Sequence, residues 1–244
     1  MGSASWWNGF RCITRNCWCS VRHPGPAFFR EQLYPLQDDV LARVRKLETG
    51  FYLSGGTAAS RGYLNHRFSD DLDLFTNDQV DFPLWADRVI DTLSTHPAGT
   101  LTIQLRERRF VRCVLDAGSV ALKIEMVDDV PSRVGTPREH AVLGRLDSAE
   151  NILANKLTAL VDRREPKDLA DVWGFCCTMD LSIEAALEGA QGKAVGLFAP
   201  DVARPLLEGT HEDWTLVRWI DAPEPARWLS DLRTLGERLL LISR

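Results

Sequence analysis

Asp71 and Asp73 stand two positions apart in SDDLDLF, residues 69–75, a stretch in which acids alternate with leucines. That alternation marks a half-buried strand, on which positions i and i+2 project from one face. Two carboxylates so placed repel each other unless something positive lies between them. A shared divalent cation answers the repulsion. Hard oxygen ligands suit Mg2+, with Mn2+ as the alternative ion, and Mg2+ fills its shell with water and substrate phosphates around one or two protein carboxylates. Asp70 lies on the opposite alternation and is expected at the strand end. Upstream, Gly55 and Gly56 fall between a short apolar run, Phe51 to Leu53, and a helical pattern that begins at Thr57. Backbone free of side chains at a helix start lets N–H groups approach an anion. Glu125 offers a third carboxylate on a further alternating segment, and Arg61, His66 and Arg67 place cationic or titratable groups between the glycines and the aspartates. Each feature alone has a plain structural reading, a solvated Asp-x-Asp or an ordinary Gly-Gly turn; their order along the chain suggests phosphate and metal chemistry.

A second group lies downstream. Lys156 and Arg163 are seven apart and so share one helix face, two turns from each other. Pro166 then opens a new helix, which puts Asp168 and Asp171 on one face of it. Two arrangements satisfy this spacing. Lys156 can reach nucleotide phosphates while the aspartates orient it, or the four charges can form an ion-pair cluster that fixes two helices together.

The elements that must position these residues follow from periodicity. Apolar positions from Phe28 to Leu47 recur at helical spacing, interrupted by Pro35. Phe51 to Leu53 reads as a short strand, 57–64 as a helix and 69–75 as a strand. Residues 85–93 suggest a helix, and 101–105, 110–115 and 120–127 three further strands, the last with Lys123 and Glu125 on one face. From Ser148 onward the texture is helical: an apolar stripe from Ile152 to Leu160, a helix from Pro166 toward Cys176, and helices at 183–190, around 214–220 and at 225–242. The outline is a mixed α/β half followed by a helical half, with a boundary near residues 140–147.

Composition narrows the class. The 244 residues are 45% hydrophobic and 26% charged, which fits a soluble globular chain, and the net charge of -5 advertises no global attraction to nucleic acid. No apolar run reaches the roughly 18–20 residues of a membrane helix, so a cytoplasmic protein without a membrane partner is expected. The one arginine-dense stretch, Arg106 to Arg112, reads equally as a solvated strand face. Near the start, Cys12, Cys17, Cys19 and His23 are four zinc-type donors whose spacing matches no zinc pattern; residues 1–27 are expected to be a disordered extension.

LSGGTA (residues 53–58), HRFSDDLDLF (66–75) and KLTALVDRREPKDLADV (156–172) together resemble the AbiEii/AbiGii toxin family of nucleotidyltransferases, within the polymerase-β-like superfamily. The resemblance runs from about Phe28 to about Phe175. It departs from the usual pattern at Gly56, where serine is common, at Glu125, where many members use Asp, and at Lys167 and Val172, which replace Arg and Leu. It implies an α+β fold: a polymerase-β-like nucleotidyltransferase core over 28–145, a mixed sheet flanked by helices, followed by a helical C-terminal domain over 146–244. It also implies an enzyme that moves a nucleotide from an NTP to an acceptor, RNA such as tRNA or protein, as the toxin of a toxin–antitoxin or phage-defence pair with a cognate antitoxin. On that reading Asp71, Asp73 and Glu125 hold metal, and these three with Lys156 and Asp168 are catalytic. Gly55, Gly56, Thr57, Arg67, Lys156 and Arg163 bind the nucleotide. Two alternatives stand beside it: a small-molecule, antibiotic-type nucleotidyltransferase, and a non-catalytic relative that binds nucleotide and acts through a protein partner. Phosphatases of the haloacid-dehalogenase type follow their Asp-x-Asp with threonine or a similar residue, where Phe75 stands here, and Asp-x-Asp glycosyltransferases have no need of the glycine helix start.

Overall fold

A computed structural model describes residues 24–242; the reading of the N-terminal cysteines and His23 lies outside them. Helix α1, residues 26–44, is continuous: regular turns at Pro26–Phe28 and Tyr34–Val44 flank a widened π-helical stretch, Phe29–Leu33. Pro35 therefore does not interrupt the helix as expected. The wide turns just before it absorb its missing N–H and its clash with the preceding turn. Strand β1 (Tyr52–Ser54) is wholly buried and leads into helix α2, residues 55–64, which stops at Asn65 in the left-handed conformation, φ 49°. Strand β2 (Leu72–Thr76), helix α3 (Phe82–Ser94) and strands β3 (Thr100–Arg106), β4 (Phe110–Asp116) and β5 (Ala121–Asp128) follow. A short hairpin, β6 (Arg138–His140) and β7 (Gly144–Leu146), sits where the boundary between halves was expected.

The strands form one seven-stranded mixed sheet in the order β3-β4-β5-β2-β1-β7-β6. β2 pairs parallel with β5 and antiparallel with β1, so the strand carrying the aspartates is central. Leu72, Leu74, Leu122, Ile124 and Met126 bury one face against the core, and Asp73, Phe75, Lys123, Glu125 and Val127 lie on the other. β2 begins at Leu72 rather than Ser69. The backbone just before it pairs elsewhere: the Phe68 N–H donates to the Arg218 carbonyl at 2.8 Å and the Ile220 N–H to the His66 carbonyl at 2.9 Å.

The C-terminal half is helical: α4 (Ala149–Arg163), α5 (residues 166–178), α6 (Ile183–Gln191), α7 (Ala199–Leu207), α8 (His211–Leu216) and α9 (Pro225–Ile242). Ser148 caps α4 by accepting the Asn151 N–H, and Pro166 occupies the first turn of α5, as the sequence predicts. The helix expected around 214–220 ends at Leu216; Val217 is extended, and 217–220 becomes the strap that pairs with 66–68. The apolar core is continuous from the sheet through α4 to Trp228 and Leu232 of α9. Among the described residues no helix is long and apolar enough to cross a membrane.

Candidate active site

The sheet register sets Asp73 directly beside Glu125, with Ser54 its partner on the other side. β1 ends there, and Gly55 turns the chain into α2 with φ +64°. A Cβ at Gly55 would lie 1.9 Å from Asp73 Oδ2. The glycine is thus required twice, by its left-handed backbone and by the carboxylate lying against it. Gly56 is crowded too: its Cβ would come within 2.9 Å of Arg67 Nη2 and 3.0 Å of Ser69 Oγ. Ser69 thus sets a hydroxyl beside the glycine, in the space a side chain at Gly56 would take. Thr57 is fully buried and bonds Ser69 Oγ at 3.0 Å and the Asp71 carbonyl. It ties the helix start to the aspartate strand and does not line the cleft.

Charge is arranged tightly around the acids. Burial, then Glu125 and Asp71, push the Asp73 carboxyl up to about 6. Lys123 lies between the other two acids, with Nζ 2.9 Å from Asp71 Oδ2 and 3.3 Å from Glu125 Oε1. The Arg112 Nε–H donates to the same Glu125 oxygen at 2.7 Å. Burial would raise Glu125, but these two cations hold it below its ordinary value. Neither Lys123 nor Arg112 was singled out as functional from sequence, although Lys123 shares the alternation of Glu125. Among the described residues no group of three or more His, Cys, Asp or Glu side chains is gathered as a metal cage. The residues present nonetheless fit a hard divalent ion: Asp71 and Asp73 are oxygen donors, and the Lys123 ammonium stands among the acids as a cation in its own right. Glu125, expected as a third ligand, is engaged by Lys123 and Arg112.

The downstream block closes the opposite wall. Asp171 is fully buried and accepts from the Arg67 Nε–H and Nη2–H, both at 2.7 Å, and from Lys156 at 2.6 Å. His66 Nε2 lies 3.0 Å away from it. Lys156 also donates to Asp168 at 2.7 Å, and Arg163 to Asp168 at 3.1 Å. Burial alone would raise both aspartates; Arg67 and Lys156 hold Asp171 well below the carboxylate range, and Lys156 and Arg163 lower Asp168. The ion-pair arrangement allowed by the sequence is therefore present, and it recruits Arg67 and His66 from the first half. Three cations stand against two carboxylates, and Arg67, Lys156 and Arg163 also line the cleft. Arg163 is the accessible one, its side chain 49% exposed.

Between these walls lies a cleft of about 320 Å3 bounded by β2, β5, the start of α2 and α4. Lys167 and Arg218 stand on its rim. Arg218 forks onto Asp70, at 2.9 Å for the Nη1–Oδ1 contact, so Asp70 serves to hold the strap. The arginine-dense stretch is ion-paired: Arg106 with Asp87, Arg109 with Asp128 and Arg112 with Glu125.

A mixed sheet that presents two aspartates beside a glycine helix start defines a nucleotidyltransferase fold, and solved structures of that class match it. A candidate nucleotidyltransferase from H. pylori is 20% identical, with a TM-score of 0.57 over 86% of this chain and 95% of its own. JHP933 from Helicobacter pylori gives 20%, 0.56, 86% and 92%, and MenT4, a nucleotidyltransferase toxin of Mycobacterium tuberculosis H37Rv, gives 17%, 0.54, 88% and 87%. At these identities the likeness is one of fold. No curated protein matches the sequence. Residues 39–193 match the AbiEii nucleotidyl transferase toxins of type IV toxin–antitoxin systems, and the chain belongs to that family.

Proposed function

We propose that this nucleotidyltransferase toxin moves a nucleotide from an NTP to a hydroxyl or phosphate of RNA, tRNA included, or of protein, releasing pyrophosphate, and that a cognate antitoxin restrains it. The observation that carries the reading is the close approach of Gly55 to Asp73, which sets the start of α2 against the aspartate strand. Backbone donors and the positive end of the helix favour phosphate oxygens there. Asp71 and Asp73 would hold Mg2+ or Mn2+, which when bound supplies charge neutralisation on the phosphates. Arg163, the most exposed of the three cations on this wall, would turn from Asp168 toward the triphosphate. Arg67 and Lys156, both locked to Asp171, add positive potential without leaving their places. Glu125 is kept anionic by Lys123 and Arg112, which makes it a weak proton acceptor; its part is to hold those cations beside Asp71. Asp168 positions Lys156 and Arg163.

The test incubates the protein with each labelled NTP, Mg2+ and total RNA. Label in the RNA fraction that disappears in Asp71→Ala and Asp73→Ala supports the proposal. Full transfer by both variants would sink the metal assignment, and label confined to small molecules would transfer the reading to an antibiotic-type acceptor.

A further inference from the structure

Lys123 stands between two of the three acids of the cleft, and the backbone puts it there. The register of β2 and β5 pairs Leu72 with Ile124 and Asp73 with Glu125. Lys123, two residues before Glu125 on the same face, therefore falls beside Asp71. Its Nζ lies 2.9 Å from Asp71 Oδ2 and 3.3 Å from Glu125 Oε1, and these side chains line the cleft together with Asp73. The bridge is braced from the next strand. Arg112 is the direct cross-strand partner of Glu125, donates to the same Oε1 at 2.7 Å, and lies over the Phe110 ring at 5.3 Å. One oxygen of Glu125 is thus shared by two cations, each fixed to its own strand.

Sites that work with a pair of divalent ions set them about 3.5–4 Å apart. A second ion shared by Asp71 and Glu125 would need the space between them, where the ammonium stands. Mg2+ takes its oxygens at about 2.0–2.1 Å, so an ion on those two carboxylates and the Lys123 Nζ cannot share that space. Their like charges repel at any position close by. The place is not sealed: the side chains of Lys123, Asp71 and Glu125 are 36%, 29% and 16% exposed, so an ion from solvent can compete for it. We infer that Lys123 takes the place of a second divalent ion, and that the site holds a single Mg2+ or Mn2+, on Asp71 and Asp73, with a fixed ammonium beside it. The inference rests on the metal reading of the two aspartates and deepens it. An ammonium offers no coordination position, so what Lys123 brings is positive charge set in place before any ligand arrives.

Bound Mn2+ is counted by equilibrium dialysis and read by electron paramagnetic resonance on the full chain, alone and with a stoichiometric non-hydrolysable NTP analogue. Wild type is compared with Lys123→Met, Lys123→Arg and Lys123→Met combined with Glu125→Gln, with melting curves to confirm folding. The wild type should bind one Mn2+ per chain and give the spectrum of an isolated ion, a result that needs no variant. Lys123→Met, of similar length but uncharged, should bind two with the analogue present and give the spectrum of a spin-coupled pair. Lys123→Arg should stay at one, and adding Glu125→Gln to Lys123→Met should return the count to one. A coupled pair in the wild type, or an isolated ion in folded Lys123→Met, overturns the role of Lys123 and leaves the aspartate reading standing. Failure of the wild type to bind Mn2+ with or without the analogue overturns the metal reading and this inference with it.

Discussion

Replacing Asp73 by Asn should stabilise the metal-free protein while abolishing its response to metal. The carboxyl stands at about 6 instead of 3.8, because burial and the neighbouring Glu125 and Asp71 disfavour its charge. A folded value above the unfolded one means that the protonated group favours the fold: its contribution is complete below about pH 4 and is lost as pH rises through 6. Converting the shift gives about 3 kcal/mol against the ionised form at pH 8, and screening of the half-buried side chain reduces this to about 2–3 kcal/mol. Asparagine keeps the shape and removes the charge. In chelator, urea unfolding followed by tryptophan fluorescence should therefore show the variant about 2–3 kcal/mol more stable than wild type at pH 8, and within a few tenths of it at pH 4. Saturating Mn2+ at pH 8 should raise the wild-type midpoint and leave the variant where it was. A variant equal to or less stable than wild type at pH 8, or a gap independent of pH, would refute the claim that clustered charge strains this site.

Gly55→Ala places a Cβ 1.9 Å from Asp73 Oδ2 at a positive φ, and transfer activity should fall by on the order of a hundredfold or more in a labelled-NTP assay. Asp171→Asn leaves Arg67 and Lys156 buried with weakened partners; denaturation should show a loss of about 3–5 kcal/mol. His66 is held by burial below its ordinary value, so its contribution is present above about pH 6.5 and is lost as pH falls through the folded value, the unfolded chain binding the proton first. His66→Gln should flatten the stability curve between pH 7 and 5. Arg218→Ala removes a partly exposed pair worth at most about 1 kcal/mol, yet it should alter tryptophan emission, because Trp219 beside it packs on Trp173, Trp214 and Trp228.

What could be read from the chain beforehand follows the range over which each feature is determined. The aspartate strand, the glycine turn, the Ser148 cap and Pro166 are local, set by alternation or by a single residue's backbone, and the fold keeps them, with the strand starting at Leu72 instead of Ser69. The strap and the ion hub are not local. Residues 66–70 pattern as the start of a strand, but which strand they join depends on a segment some 150 residues later; 217–220 pattern as helix until pairing with 66–68 outbids that preference. Helical spacing set Lys156 and Asp168 near each other without deciding whether they face a ligand or one another. That decision lies with Arg67 and Asp171, 104 positions apart, which meet only once α2 and α5 are packed. The consequence for function is that Lys156 does both jobs. It lines the cleft, yet its ammonium is fixed by two carboxylates, so on the proposed reading it would offer a triphosphate a fixed positive potential at no cost in reorganisation, whereas a mobile lysine would first have to be ordered. By the same reasoning Arg163, half-exposed and paired with Asp168 at 3.1 Å and Glu165 at 4.0 Å, is the member of that cluster which, on the proposed reading, would follow a departing pyrophosphate.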